Sequence, residues 1–277
     1  MNQDMIESFF NDNVNRYSSD TIKSYKIALS QFFSNCPKNY DEVKAKDIRE
    51  WQAVMTAKGL KTRSVELKLT AVKSFYKYCM EENKLNINPS QIVRTPKKEE
   101  SPPYYLNKKQ LVMLQELTKD HPRDRAIVET LYSTGVRISE LLNIKLEDIK
   151  WESRQIWIRK GKGNKERFVL FTYECGERLK TYLENRNIDS PFLFPNQMGL
   201  PLSRDLVELN FRKYKKILGF SVTPHIMRHT FAAHLAEKGM DFCYIRELLG
   251  HSNINSTHIY TRLMNNARKK QYDRYQT

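Results

Sequence analysis

Apolar positions recur at helical spacing through the first hundred residues. Between Ser19 and Phe33 they fall at Ile22, Tyr25, Leu29, Phe32 and Phe33, behind a Ser-Asp start signal. Asp47 can cap a second helix, with Ile48, Trp51, Val54 and Met55 on one face and Gly59 ending it. A third runs from about Thr62 to Glu82 and turns Val65, Leu69, Val72, Phe75, Tyr76 and Cys79 inward. These aromatics read as core, not as platforms for stacked bases. Lys61, Arg63, Lys68, Lys73 and Lys77 fall outside the stripe, either as a solvated helix face or as contacts for phosphate.

The pattern breaks at RTPKKEESPPYY, from Arg94 to Tyr105, where prolines and charges replace apolar residues as in a linker. A helix then starts near Asn107, with Leu111, Leu114 and Leu117 as its stripe. Another covers Arg125 to Tyr132, and a third follows Gly135. From Gln155 the sequence QIWIRKGKGNKERFVLF alternates in short runs around a Gly-Lys-Gly-Asn turn, which predicts two strands joined as a hairpin. Helical patterns return after Ser203. The expectation is a mainly α chain with a small antiparallel β element: a helical domain over 1–97, a linker over 98–105 and an α+β domain over 106–277.

Charge sharpens this picture. The 277 residues carry 47 Lys and Arg against 32 Asp and Glu, a formal net charge of +15. Up to Lys98 there are 17 basic and 11 acidic residues, and beyond it 30 and 21, so both parts are positive. An excess of this kind draws a protein to polyanions, nucleic acid above all. The start MNQDMIESFF lacks the features of a signal peptide, and no apolar run approaches the ~18 residues of a membrane span. Cys36, Cys79, Cys175 and Cys243 lie far apart and read as reduced thiols of a cytoplasmic protein.

Four clusters carry candidate chemistry: Ser133 to Leu141 around Arg137, Gly161 to Arg167 around Lys162, Thr223 to His229, and Leu248 to His251 followed nine positions later by Tyr260. Each has an ordinary alternative. Arg137 can simply pair with Glu140, and the hairpin tip can be a polar turn, since it lacks the P-loop pattern. His225 and His229 stand four apart as zinc ligands do, but Ile226 occupies the place of the metalloprotease Glu. His121, His234 and His258 read as structural or exposed.

Together the clusters resemble the tyrosine recombinase family, the phage integrases and Xer-type recombinases, whose ordered pattern is Arg, Lys, His-x-x-Arg, His, Tyr. Here these are Arg137, Lys162, His225 with Arg228, His251 and Tyr260, embedded in TGVRISEL, GKGNKER, TPHIMRHTFAAHL and LLGHSNINSTHIY. The match runs from about Leu106 to the end. The N-terminal part resembles the family's core-binding domain only in length, helices and basic outer faces.

The resemblance implies that Tyr260 attacks a DNA phosphodiester, giving a 3′-phosphotyrosine and a free 5′-hydroxyl, without metal or ATP. Negative charge gathers on the five-coordinate phosphorus, and two guanidiniums such as Arg137 and Arg228 can fork onto its oxygens. By family analogy His225 is the general base, Lys162 the general acid, His251 a hydrogen-bond donor, and Glu140 an orienting group. Also implied are double-stranded DNA recombination sites as partners, a homotetramer on two duplexes that passes through a Holliday junction, and a tail with Arg268, Lys269 and Lys270 packed on a neighbouring protomer. A paralogous recombinase can share the tetramer. A type IB topoisomerase and a catalytically silent DNA-binding protein are the alternatives. The core-binding part begins almost at Met1, which argues against the larger integrases with arm sites. Dimer resolution, cointegrate resolution and integration stay open, as does the DNA site.

Overall fold

The computed structural model describes residues 2–96, 103–159, 166–250, 269, 272 and 273. The chain divides into two compact units, 1–100 and 101–277.

Among its described residues the first unit holds four helices: α1 (Asn2–Asp12), α2 (Ser19–Asn35), α3 (Ala45–Ala57) and α4 (Thr62–Glu81). The Ser18 hydroxyl caps α2 by accepting from the Thr21 N–H at 3.3 Å. α3 starts three residues earlier than the sequence pattern places it, with Lys44 and not Asp47 at the N-cap. Asp47 caps it from within the first turn, where its carboxylate accepts from the Lys44 N–H at 2.8 Å and from the Lys38 ammonium at 2.7 Å. Those contacts, the Lys38 hydrogen bond foremost, hold the carboxyl below its ordinary range. Leu29, Phe32, Ile48, Leu69, Val72, Phe75 and Tyr76 are fully buried. Phe32 meets Trp51 edge to face at 5.1 Å, and Phe9 meets Phe75 at 5.9 Å. Each such pair contributes about 0.5–1.5 kcal/mol beyond the area it buries. The aromatics are core, as their spacing predicts.

The second unit runs through α5 (Lys108–Leu117), α6 (Pro122–Thr134) and the short α7 (Ile138–Leu142) to a 3-10 turn at Leu146–Asp148. Strands β1 (Ile149–Lys150), β2 (Gln155–Ile158) and β3 (Arg167–Leu170) follow, then α8 (Tyr173–Glu184), α9 (Arg204–Leu218), α10 (Pro224–Glu237) and α11 (Phe242–Leu249). The hairpin of β2 and β3 gains a third antiparallel member in β1, in the order β1-β2-β3. The helix α8 is absent from the sequence reading, which resumes helices only after Ser203. It is capped by the Thr172 hydroxyl on the Cys175 N–H at 3.2 Å and buries Cys175, Leu179 and Tyr182.

α6 lies at the centre of this unit and packs against both α8 and α10. The chain enters along α10: the Leu106 N–H donates to Thr230 Oγ1 at 2.9 Å, and Tyr105 donates to Glu237 at 2.7 Å. His234, buried on α10, reaches the Leu106 carbonyl through Nε2 at 2.9 Å and the Tyr132 hydroxyl through Nδ1 at 3.1 Å. A carbonyl only accepts, so Nε2 carries the proton and Nδ1 accepts from Tyr132. Burial lowers the imidazole pKa and keeps it neutral. His234 is structural, as expected from the sequence.

Candidate active site

α6 ends at Gly135, whose left-handed backbone (φ +62°) lets the chain turn into α7. Only a glycine fits there, because a Cβ would lie 2.3 Å from the Phe231 ring. Two residues on, Arg137 occupies the N-cap position of α7. Its backbone N–H donates to Glu140 Oε2 at 2.8 Å, and its Nη1 donates to Glu140 Oε1 at 2.7 Å. The local Arg137–Glu140 pair, weighed above as an alternative to a functional role, is therefore present.

Arg228 and His225 both come from α10, capped by the Thr223 hydroxyl on the Ile226 N–H at 3.1 Å. Arg228 is only 4% exposed. Its Nη1 donates to the Gly135 carbonyl at 2.6 Å and its Nη2 to the Leu249 carbonyl at 2.7 Å. His225, one turn earlier, is exposed, and its ring lies 4.2 Å from that of His229.

Arg167 belongs to this constellation too. It starts β3 opposite Ile158, on the inward face of the hairpin with Val169, while Phe168 and Leu170 face outward. Its Nη1 and Nη2 fork onto Glu140 at 3.0 and 2.9 Å, and its Nε donates to the Leu248 carbonyl at 3.2 Å. Sequence reasoning places Arg167 at the hairpin tip and assigns it no role. The strand's alternation gives no signal for it, since the apolar Phe168 and Leu170 face outward and the arginine inward.

Glu140 thus lies between two guanidiniums, with its side chain 2% exposed. Burial pushes its carboxyl up. The Arg167 hydrogen bonds, the Arg137 N–H and the charge of both arginines outweigh that and bring it down to about 2.

Three consecutive carbonyls at the end of α11 receive three arginines. Leu248 takes Arg167, Leu249 takes Arg228, and Gly250 takes Arg137 at 3.4 Å. A helix C-terminus leaves its last carbonyls without helical partners and carries partial negative charge, so it attracts cations. Arg137, Arg228 and Glu140 are therefore brought together. Lys162, His251 and Tyr260 lie outside the described residues, as do His258, Arg268 and Lys270.

Lys61, the N-cap of α4, and Arg63 are exposed, while Lys68 and Lys73 are half-buried. Lys68 donates to Gln31, and Lys77 pairs with Glu81 at 3.5 Å. An exposed pair of that kind is weak and leaves the lysine available to a stronger anion.

Comparison with known proteins accounts for both units. The phage integrase family matches residues 104–267, and the N-terminal SAM-like domain of phage integrases matches 6–83. The chain is 35% identical over 269 residues to the tyrosine recombinase XerC of Staphylococcus carnosus, covering 92% of this chain and 90% of that protein. It is 37% identical over 250 residues to the tyrosine recombinase XerA of Pyrococcus furiosus, covering 89% and 84%. A crystal structure of XerA recombinase superposes with a TM-score of 0.56 at 30% identity, covering 100% of this chain and 99% of that one. The Tn1549 transposon integrase bound to transposon right-end DNA superposes at 0.79 and 21% identity, covering 99% of each chain.

The chain belongs to the phage integrase family of tyrosine recombinases, enzymes that cleave and rejoin DNA at specific sites. Within that family it is Xer-like, combining a SAM-like N-terminal unit with an integrase catalytic unit. Among the described residues, no helix is long and apolar enough to cross a membrane.

Proposed function

We propose that Tyr260 is the nucleophile of a strand exchange in which Arg137 and Arg228 clamp the scissile phosphate. The observation that carries this reading is the convergence of Arg228 and of Arg137, which Glu140 holds, on the end of α11, immediately before His251 in the chain. Tyr260 Oη forms a bond to phosphorus while the bond from phosphorus to the 5′-oxygen breaks. The phenol proton passes to His225, and Lys162 protonates the departing 5′-oxygen. His251 donates a hydrogen bond to the phosphate. The two arginines neutralise charge that develops on its oxygens, and Glu140 sets the angle of Arg137.

The phosphodiester energy is kept in the 3′-phosphotyrosine, so a 5′-hydroxyl can reseal the strand without ATP or metal. The SAM-like unit serves as a core-binding domain, joined by a linker over 98–105, and sets Lys61, Arg63, Lys68, Lys73 and Lys77 against the DNA backbone. Four protomers, all of this chain or shared with a paralogue, act on two duplexes through a Holliday junction in the cytoplasm, at the nucleoid. The tail after Tyr260 packs on a neighbouring protomer.

A nicked suicide substrate carrying the recombination site tests this. The wild type is expected to give a covalent protein–DNA band, and Tyr260→Phe to bind the DNA normally and give none. A band that survives this substitution overturns the assignment. Arg137→Ala and Arg228→Ala are expected to slow cleavage by about 10²–10³-fold while changing DNA affinity far less. Equal losses in both would make the arginines positioning contacts.

A further inference from the structure

We infer that Arg167 is a positioning residue for catalysis, locking three separate pieces of the active site into one geometry. The inference rests on the reading of Arg137 as a phosphate clamp. Arg167 touches none of the six residues of the recombinase pattern directly among the described contacts; it acts on Arg137 through Glu140.

The geometry of one guanidinium carries the argument. Nη1 and Nη2 of Arg167 take both oxygens of Glu140, at 3.0 and 2.9 Å. Glu140 in turn accepts from the Arg137 side chain at 2.7 Å and from its backbone N–H at 2.8 Å. The third donor of Arg167, Nε, is spent on the Leu248 carbonyl at 3.2 Å. Arg167 therefore ties the hairpin to α7 and to the end of α11. In the chain it stands five residues after Lys162, and Leu248 stands three before His251. Its side chain is 12% exposed, and the αL residue Gly250 packs so closely that a Cβ there would lie 3.0 Å from Arg167 Nε.

Lysine cannot reproduce this arrangement. Its ammonium is a point charge and cannot meet two carboxylate oxygens and a carbonyl along three fixed directions. Without the fork, Glu140 is held by Arg137 alone, and the Arg137 guanidinium gains freedom to leave the position in which it meets phosphate. A misplacement of about 1 Å in a reacting group can slow a reaction about 100-fold.

The experiment compares single-turnover cleavage of the nicked substrate, at saturating DNA, by wild type, Arg167→Lys, Arg167→Ala, Glu140→Gln and the double variant Arg167→Lys/Glu140→Gln. Thermal melts and DNA affinity are measured on each. Arg167→Lys keeps the charge but loses the fork, and is expected to stay folded with a melt below that of the wild type, to bind DNA within about twofold, and to cleave about 10- to 100-fold more slowly once rates are corrected for the folded fraction. Arg167→Ala is expected to be slower still. If Arg167 acts through Glu140, the double variant loses much less than the product of the two single losses. Wild-type cleavage by Arg167→Lys overturns the inference, as do losses that multiply, or losses that disappear once rates are corrected for the folded fraction. If the wild type gives no Tyr260-dependent band, it is the proposed nucleophile that fails, not the role of Arg167.

Discussion

Glu129 and Glu140 are two buried glutamates of one catalytic unit, each beside arginine, and their carboxyls shift in opposite directions. Their side chains are 3% and 2% exposed, so burial penalises both charges alike. Glu129 on α6 receives Arg125 at 2.7 Å and Gln115 at 2.6 Å, and both fall on Oε1. That is too little. Burial raises its carboxyl despite the Arg125 charge, and the neighbouring charge of Glu174 adds to the rise. Glu140 has both oxygens in the fork of Arg167, with the Arg137 side chain and backbone N–H as well, and sits at about 2. One arginine on one oxygen leaves a buried carboxylate in debt to desolvation. Two arginines and an N–H, spread over both oxygens, do not.

Glu140→Gln should break the stronger site most. At pH 7 it removes the buried charge that two half-buried guanidiniums share, and urea unfolding is expected to show a loss of about 3 kcal/mol. A loss below about 1 kcal/mol would mean that the forks contribute nothing net.

Acid should sharpen the contrast. The folded pKa of Glu140 lies below the ordinary carboxyl value of 4.5, so its stabilisation is fully present above 4.5 and is lost as pH falls through about 2. Between pH 4.5 and 2.5 the wild type is expected to lose about 2 kcal/mol more than Glu140→Gln, read from paired unfolding curves. Equal acid sensitivity of the two proteins would show that Glu140 is not held low.

Glu129→Gln should have the smallest effect. Its folded pKa is raised, so its contribution favours folding below the ordinary value and fades as pH rises through the folded one. Arg125 keeps Glu174 at 3.1 Å after the change. The variant is expected to unfold within about 1 kcal/mol of the wild type at pH 7. A loss as large as that of Glu140→Gln would erase the distinction between the sites.

The difference between these sites also marks what was legible in the sequence. The helices with full apolar stripes were readable, and so were the start near Asn107 and the return of helices after Ser203, because caps and periodicity are local. α8 was not, since its buried stripe is sparse, with Cys175, Leu179 and Tyr182 at its centre and Gly176 interrupting it. β1 spans only two residues and exists through its pairing with β2. In the site, Arg137, Glu140, His225 and Arg228 stood in recognisable strings. Arg167 stood in one as well, but its partners Glu140 and Leu248 lie 27 and 81 residues away, a relation that only folding creates. The alternation in RFVL is no guide to it, since the apolar Phe168 and Leu170 are exposed and the arginine turns inward.

The row of arginines along the end of α11 has a consequence in charge balance. Arg137, Arg167 and Arg228 bring three positive charges to adjoining carbonyls, and Glu140 cancels one. A phosphodiester entering with one negative charge leaves the cluster with a surplus of one. The five-coordinate species of the proposed reaction, with two, leaves none. In the proposed reaction these three arginines and Glu140 are neutralised by the five-coordinate species and not by the substrate, and that difference is the kind of binding that accelerates a reaction.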